Sequence, residues 1–164
     1  MAESQPNLRE FLVEAKQQGY GSTISRPIAG QLGDKKLAHI NYDLGLAYQD
    51  QWIGGNPYVG YEFVSRANKN IDLSYTPIWG MAYHGGARRP EDVDVVNSWL
   101  RRALPNPDPD IPIRGPLEGI EDDTGRYTIT VDGDLEGFTA EELIMSDNRI
   151  IYVANFLGGL ANNQ

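Results

Sequence analysis

The chain has 164 residues, and with 14 Lys or Arg against 23 Asp or Glu its net charge at pH 7 is −9. It contains no cysteine, which excludes a disulfide framework, a thiolate nucleophile and cysteine-ligated metal clusters. The acidic balance disfavours direct nucleic-acid binding, because non-specific affinity for phosphates depends on Lys and Arg. Length and composition indicate a single domain over residues 1–164.

The first predicted element is an amphipathic helix over residues 8–18. Asn7 can cap its N-terminus, with Glu10 three residues on as in a capping box. Gly19 marks its end. Its apolar stripe has the spacing i, i+3, i+4 and i+7 and consists of Leu8, Phe11, Leu12 and Ala15.

Three strands are predicted in the rest of the first half, after a loop over residues 19–36. Apolar residues at even positions indicate a strand over residues 39–48. Residues 52–57 form a Gly/Asn/Pro break. Two further strands are predicted over residues 58–66 and 71–84, with a hairpin turn at residues 68–70.

The second half begins with a helix from Pro90 to Ala103, where Pro90 suits the first helical position. Acidic residues follow Pro90 and two arginines close the helix, a polarity that matches the helix dipole. Strands are predicted at 126–131, 138–145 and 149–157, with a tight turn at 146–148. The acidic segment at 132–137 imitates the start of an EF-hand loop, but position 12 of that loop is Leu143, so an inter-strand loop is the better interpretation.

Both halves therefore have the order helix, then three strands, and they share landmarks such as Glu62 and Glu142. We predict pseudo-repeats at residues 7–87 and 90–160. The fold class is then α+β: internally duplicated helix-plus-three-strand repeats, forming an antiparallel sheet with two helices packed on one face. Such a duplication creates a seam between the halves, which is a common location for a ligand cleft.

Glu62 is the first candidate binding residue, and Glu142 is its counterpart in the second half. A carboxylate among aromatic rings can bind a cationic or hydrogen-bonding ligand. The alternative is that Glu62 lies on the solvent face of the sheet, where alternating strands place polar residues. The aromatic residues proposed to line this ligand-binding cleft are Trp52, Tyr58, Trp79 and Tyr83.

His84 ends a predicted strand beside two glycines, where an imidazole could face the same cleft or act as a base. The alternative is a packed or exposed histidine, because no nucleophile or second base is spaced near it. We assign no catalytic residue, no cofactor and no metal site, since two histidines without cysteine give no metal-ligand spacing.

Several segments together resemble an uncharacterised family, mostly bacterial and archaeal, whose members often follow an Xre-type helix-turn-helix in predicted transcriptional regulators. They are FLVEAKQQGYG, YQDQWIGGNPYVGYEFV, PIWGMAYHGG, the dipeptide Arg114-Gly115 and the closing FLGGL. The resemblance implies a regulatory or effector-sensing module and supplies no catalytic residues. Because the domain's own helix is predicted from residue 8, we expect a stand-alone domain that needs a separate partner for any role in transcription.

We therefore expect a non-enzymatic module that binds a small-molecule ligand in an aromatic, Glu-containing cleft. The first alternative is a protein-interaction or dimerisation module, as a homodimer or with a regulator partner. The second is an enzyme of unknown reaction that uses Glu62 and His84. No signal peptide and no apolar stretch of membrane-spanning length is visible, so we expect a cytoplasmic protein with no membrane contact.

Overall fold

The computed structural model describes residues 7–20, 27–30, 33–68 and 74–161. Two helices lie in these ranges, α1 (Leu8–Tyr20) and α2 (Val93–Ala103), the latter preceded by a 3-10 helix at Pro90–Asp92. The described strands are β1 (Ile28–Ala29), β2 (Lys35–Asn41), β3 (Leu46–Gly54), β4 (Tyr58–Ala67), β5 (Tyr75–Ala87), β6 (Ile120–Asp122), β7 (Gly125–Asp134), β8 (Gly137–Ser146) and β9 (Arg149–Leu160). They form one sheet in the order β1-β2-β3-β4-β5-β9-β8-β7-β6, and every neighbouring pair is antiparallel.

The predicted fold class is wrong. Instead of α+β repeats of one helix and three strands, the structure is mostly β: it is 54% strand and 18% helical, with one continuous antiparallel sheet and two short helices. The reason is that each half contributes more than three strands within the described ranges. Pairing of β5 with β9 joins the two halves, so a backbone hydrogen-bond ladder occupies the predicted seam there.

The predicted strand over residues 39–48 is also wrong, because the chain reverses direction within it. The turn lies between β2 and β3, where the side-chain Oδ1 of Asn41 accepts a hydrogen bond from the backbone N–H of Leu44 at 3.1 Å. Gly45 has φ of 64°, a conformation that favours glycine. Ile40 before the turn and Tyr42 and Leu44 within it are exposed, whereas Leu46 after it is buried, so the alternation joined two different strands.

Most other predicted elements are confirmed. The helix at 8–18 is α1, and Asn7 Oδ1 accepts hydrogen bonds from the N–H groups of Arg9 and Glu10. The strands at 58–66, 126–131, 138–145 and 149–157 lie within β4, β7, β8 and β9. The turn at 146–148 has two left-handed residues, as a tight hairpin requires. The segment at 132–137, predicted as an inter-strand loop, consists of the end of β7, a turn at residues 135–136 and the first residue of β8. The predicted turn at 68–70 falls mostly outside the described residues.

The sheet has one buried face, here called the inner face, and one largely exposed outer face. On the inner face α1 contacts β2 and β3, and α2 contacts β5. The largest fully buried apolar and aromatic side chains in this core are Trp79, Tyr48, Tyr127, Tyr152, Phe11, Leu12, Leu46, Ile113, Ile144 and Ile151. The outer face carries exposed side chains that include Ile53, Val59, Tyr61, His84 and Leu157. Neither helix within the described ranges is long and apolar enough to cross a membrane.

An ion pair between buried Asp92 and the 40% exposed side chain of Arg149 connects the start of α2 to the sheet. The guanidinium of Arg149, the first residue of β9, donates to both carboxylate oxygens of Asp92, at 2.9 and 2.6 Å. Asp92 is 4% exposed. The hydrogen bonds from Arg149 lower the pKa of Asp92 below its ordinary value of 3.8. This ion pair therefore adds to the packing of Val96, Trp99 and Ala103, the buried residues of α2.

We expect the free energy of unfolding to fall with pH as Asp92 becomes protonated. A lowered folded-state pKa gives stability above the ordinary pKa of 3.8, and this stability is lost as the pH falls through the lower folded-state value. Asp92→Asn should lower stability at pH 7 and flatten the pH dependence below the ordinary pKa of 3.8. Urea unfolding at stepped pH measures both effects. The control is Asp94→Asn, an exposed position on α2, and equal pH profiles for the two variants would contradict the prediction.

Candidate functional site

A pocket of about 630 Å³ lies between α2 and the inner face of the sheet. Strands β3, β4 and β5 form one wall, and α2 forms the opposite wall. The residues that line it are Lys35, Asp50, Trp52, Gly55, Asn56, Tyr58, Tyr83, Val93, Asn97, Leu100, Arg101, Leu104 and Arg114. The pocket thus combines aromatic rings, apolar side chains from α2 and a small number of charged groups, which is the usual composition of a ligand site.

Asp50 is the carboxylate that lines this pocket. It lies on β3, is 2% exposed, and follows Leu46 and Tyr48 on the buried side of the strand. The hydroxyl of Tyr83 donates to Asp50 Oδ1 at 2.5 Å. Two residues along the strand, half-buried Trp52 also lines the pocket. Asp50 was not singled out from the sequence, although its alternation with Tyr48 and Trp52 on β3 was the available signal.

Glu62 lies behind the pocket rather than in its lining. Its backbone pairs with that of Asp50 across β3 and β4, which places the two carboxylates side by side on the inner face. Lys16 Nζ donates to Glu62 Oε2 at 2.5 Å, and both side chains are fully buried. Burial lowers the pKa of Lys16, and the charge of Glu62 opposes that shift. The expected solvent-face alternative for Glu62 therefore does not describe its position.

Lys16 is a residue that the sequence reasoning missed. It follows Ala15 on α1 and lies eight residues after Leu8, so it continues the same apolar stripe. A charged residue within an otherwise apolar stripe was the signal for a buried ion pair. The Nζ atom of Lys16 also lies 5.6 Å from the ring centre of Tyr48, which is within cation–π distance.

Glu142 is the centre of a second buried cluster. Its carboxylate accepts from Arg114 Nε at 3.3 Å, Arg114 Nη2 at 3.2 Å, and the hydroxyls of Tyr127 and Tyr152, each at 2.7 Å. The Tyr127 hydroxyl also accepts the backbone N–H of Gly115 at 3.2 Å. The dipeptide Arg114-Gly115 thus contributes both a counter-charge and a backbone donor to the cluster.

Tyr58 connects the Glu142 cluster to the pocket. Its hydroxyl is hydrogen-bonded to that of Tyr152, which in turn donates to Glu142. The rings of Tyr58 and Tyr83 meet edge-on with their centres 5.9 Å apart. Burial raises the pKa of Tyr58, Tyr83 and Tyr152, so these hydroxyls keep their protons at neutral pH.

Two glycines provide the space that the pocket tyrosines occupy. Gly60 is the cross-strand partner of Tyr83, and a Cβ on Gly60 would lie 2.5 Å from the Tyr83 hydroxyl. Gly85 is the partner of Tyr58, and its Cβ would lie 3.0 Å from the Tyr58 hydroxyl. Each tyrosine therefore lies over the backbone of the neighbouring strand.

The structure brings together only part of the proposed ligand-binding set. Trp52, Tyr58 and Tyr83 line the pocket, while Glu62 and Glu142 are buried in the clusters behind it. The other two members lie elsewhere. Trp79 stacks on Phe138 in the core, and His84 is exposed on the outer face.

Glu62 and His84 therefore lie on opposite faces of the sheet. Glu62 pairs with Met81, which is buried, whereas His84 pairs with exposed Val59. A single ligand on either face does not reach both side chains, because the sheet lies between them. Within the described ranges, no group of three or more His, Asp or Glu side chains is arranged to hold a metal ion.

Residues 50–161 match the sequence model of the family described as Domain of unknown function (DUF5680), and the chain belongs to this family. Of the residues that line the pocket, Lys35 alone falls outside the matched segment. No curated protein and no solved structure shows significant similarity to the chain. Membership confirms the resemblance to an uncharacterised family that the sequence motifs indicated.

We expect Gly60→Ala to destabilise the protein by about 1–3 kcal/mol, the usual cost of overpacking. The new Cβ would lie 2.5 Å from the Tyr83 hydroxyl and 2.5 Å from the carbonyl oxygen of Gln51. Urea denaturation followed by tryptophan fluorescence measures the loss. Gly137→Ala is the matched control, because a Cβ there meets no described atom within 4 Å. Equal unfolding midpoints for the two variants would contradict the expected clash.

We expect Arg114→Met to cost about 3–5 kcal/mol, because it leaves the buried Glu142 carboxylate without its counter-charge. Adding Glu142→Gln should recover part of that loss, so the two costs should not be additive. Urea unfolding of the single and double variants measures the coupling. Glu141→Gln, at an exposed position on the same strand, is the control and should change stability little. Additive costs would show that the two residues act independently.

Proposed function

We propose that this member of the DUF5680 family binds a small organic molecule in the pocket between α2 and the sheet, and that binding rather than catalysis is its role. The observation that carries the proposal is the pocket itself. Its volume of about 630 Å³ falls in the range of roughly 300–1,000 Å³ typical of ligand sites. Trp52, Tyr58 and Tyr83 supply aromatic surface, and Asp50 supplies a charged group.

The two buried clusters behind the pocket support this proposal. Burying charged groups is costly, and a well-packed apolar core of the same volume is often equally stable or more stable. Lys16, Glu62 and Glu142 are nevertheless buried behind the pocket wall, and Arg114, which lines the pocket, is itself only 6% exposed. Clusters of this kind hold functional side chains in fixed orientations, and here they orient Tyr58 and neighbour Asp50.

The resemblance to domains that follow Xre-type helix-turn-helix segments supports a sensing role. In this proposal the ligand is an intracellular effector and a separate regulator partner reads its presence. The net charge of −9 supports a route through a protein partner rather than direct contact with nucleic acid. Because α2 forms one wall of the pocket, a bound ligand would contact both α2 and the sheet, and the exposed surface of α2 is where a partner would detect it.

We expect a ligand at about 100 times its Kd to stabilise the chain by about 2.7 kcal/mol. This corresponds to a rise in melting temperature of roughly 5–10 °C for a domain of this size. A thermal-shift panel of small organic cations, anions and neutral metabolites measures it. Trp52→Ala should lower the affinity of a hit about tenfold or more, because it removes aromatic contact area worth about 1.5–3 kcal/mol.

The control is Ile53→Ala, the next residue on β3, whose side chain is 52% exposed on the outer face. Equal loss of affinity in both variants would contradict binding in the pocket. If no probe raises the melting temperature, the dimerisation alternative is favoured, since Ile53, Val59, Tyr61 and Leu157 give the outer face an exposed apolar surface. Sedimentation of the chain as a dimer that Tyr61→Glu dissociates would then support that role.

A further inference from the structure

The direction of each hydrogen bond behind the pocket follows from the Glu142 carboxylate. It accepts two N–H groups from Arg114 and the hydroxyls of Tyr127 and Tyr152. A carboxylate beside a permanently charged guanidinium is ionised and has only acceptor positions, about four in number. The Tyr152 hydrogen must therefore point toward Glu142.

A phenolic hydroxyl has one hydrogen, and that of Tyr152 is already committed. In the hydrogen bond between Tyr58 and Tyr152, Tyr58 must then be the donor. Its raised pKa keeps the Tyr58 hydroxyl protonated, so this donor is present at neutral pH. The Tyr58 oxygen consequently has lone pairs, and no hydrogen, to offer to a ligand.

The same polarity holds at Asp50 and Tyr83. The Tyr83 hydroxyl gives its single hydrogen to Asp50 Oδ1, at 2.5 Å, so its oxygen also retains only lone pairs. Asp50 is itself an acceptor as a carboxylate. All three polar side chains that β3, β4 and β5 contribute to this wall are therefore acceptors without a hydrogen to donate.

We propose that the ligand carries an ammonium or guanidinium group that donates N–H bonds to the wall formed by Asp50, Tyr58 and Tyr83. This inference rests on the proposed function and specifies the chemical class of the ligand. A carboxylate or phosphate would meet the acceptor oxygens of Asp50, Tyr58 and Tyr83 at this wall. Hydrogen bonds from a cationic donor to a carboxylate are about twice as strong as those between neutral groups.

The aromatic rings around Asp50 favour the same class of ligand. A cation within about 6 Å of the face of Trp or Tyr gains further electrostatic attraction. Trp52, Tyr58 and Tyr83 all line the pocket beside the carboxylate. Of the cationic lining residues, Arg114 is held by Glu142, and Lys35 and Arg101 are exposed. An anionic ligand would depend on these two exposed side chains. Comparison of an anionic probe with a cationic one therefore distinguishes the two classes of ligand.

The test compares probes that share a phenyl ring and differ in one group: phenethylammonium, 2-phenylethanol and phenylacetate. Their dissociation constants are measured by NMR titration that follows the indole N–H of Trp52. Trp79 and Trp99 serve as internal references, because they lie in the core and do not line the pocket. We expect the ammonium probe to bind at least about tenfold more tightly than the other two, the ratio given by one charge-assisted hydrogen bond.

Two variants test the wall itself. Asp50→Asn removes the carboxylate charge, and Tyr58→Phe removes an acceptor oxygen while leaving the Tyr152–Glu142 hydrogen bond in place. Each should reduce the preference for the ammonium probe. The matched controls on the outer face, Glu141→Gln and Tyr61→Phe, should leave it unchanged. If Asp50→Asn does not fold, the preference for the ammonium probe is measured in Tyr58→Phe alone.

The outcomes separate this inference from the proposed function. Preferential binding of the ammonium probe, reduced in the wall variants, supports both. Binding of phenylacetate or 2-phenylethanol at Trp52 with equal or higher affinity overturns the cationic class but retains a small-molecule pocket. A preference that the wall variants leave unchanged also overturns it. If no probe shifts the Trp52 signal at millimolar concentration, both proposals fail.

Discussion

The four hydrogen bonds accepted by the buried Glu142 carboxylate are the constraint on which the rest of the site depends. They hold the charge of Arg114, orient Tyr127 and Tyr152, and through Tyr152 set the direction of the hydrogen bond at Tyr58. A buried carboxylate is tolerated only when such partners surround it. The same carboxylate thus determines both the local packing and the polarity of the surface that faces the pocket.

The antiparallel register brings these groups together from distant parts of the chain. Glu142 lies on β8 and Tyr152 on β9, while Asp50, Tyr58 and Tyr83 lie on β3, β4 and β5. Strand β5 pairs with β9, so the two sets of strands form one surface. Because side chains alternate between the faces of a strand, a shift of one residue in the register of any of these strands would move its group to the outer face.

The predictions for local structure were confirmed where local signals decide it. Residues 8–18 are helical because their apolar spacing and the Asn7 cap agree, and the turn at 146–148 reverses the chain at two left-handed residues. The strand at 39–48 was wrong because alternation with period two continues across a tight turn. The α+β class was wrong because the sequence does not show that the two halves share one ladder through β5 and β9.

The sequence by itself determined the acidic charge, the absence of cysteine chemistry, the two helices, most strands and the aromatic residues Trp52, Tyr58 and Tyr83 that line the pocket. Only the tertiary structure decided which carboxylate lines it. Glu62 is paired with Lys16 from α1 and Glu142 with Arg114 from the segment after α2, and neither carboxylate lines the pocket, whereas Asp50 does. These pairings join residues 46 and 28 positions apart, and no local pattern in a sequence specifies contacts at such separations.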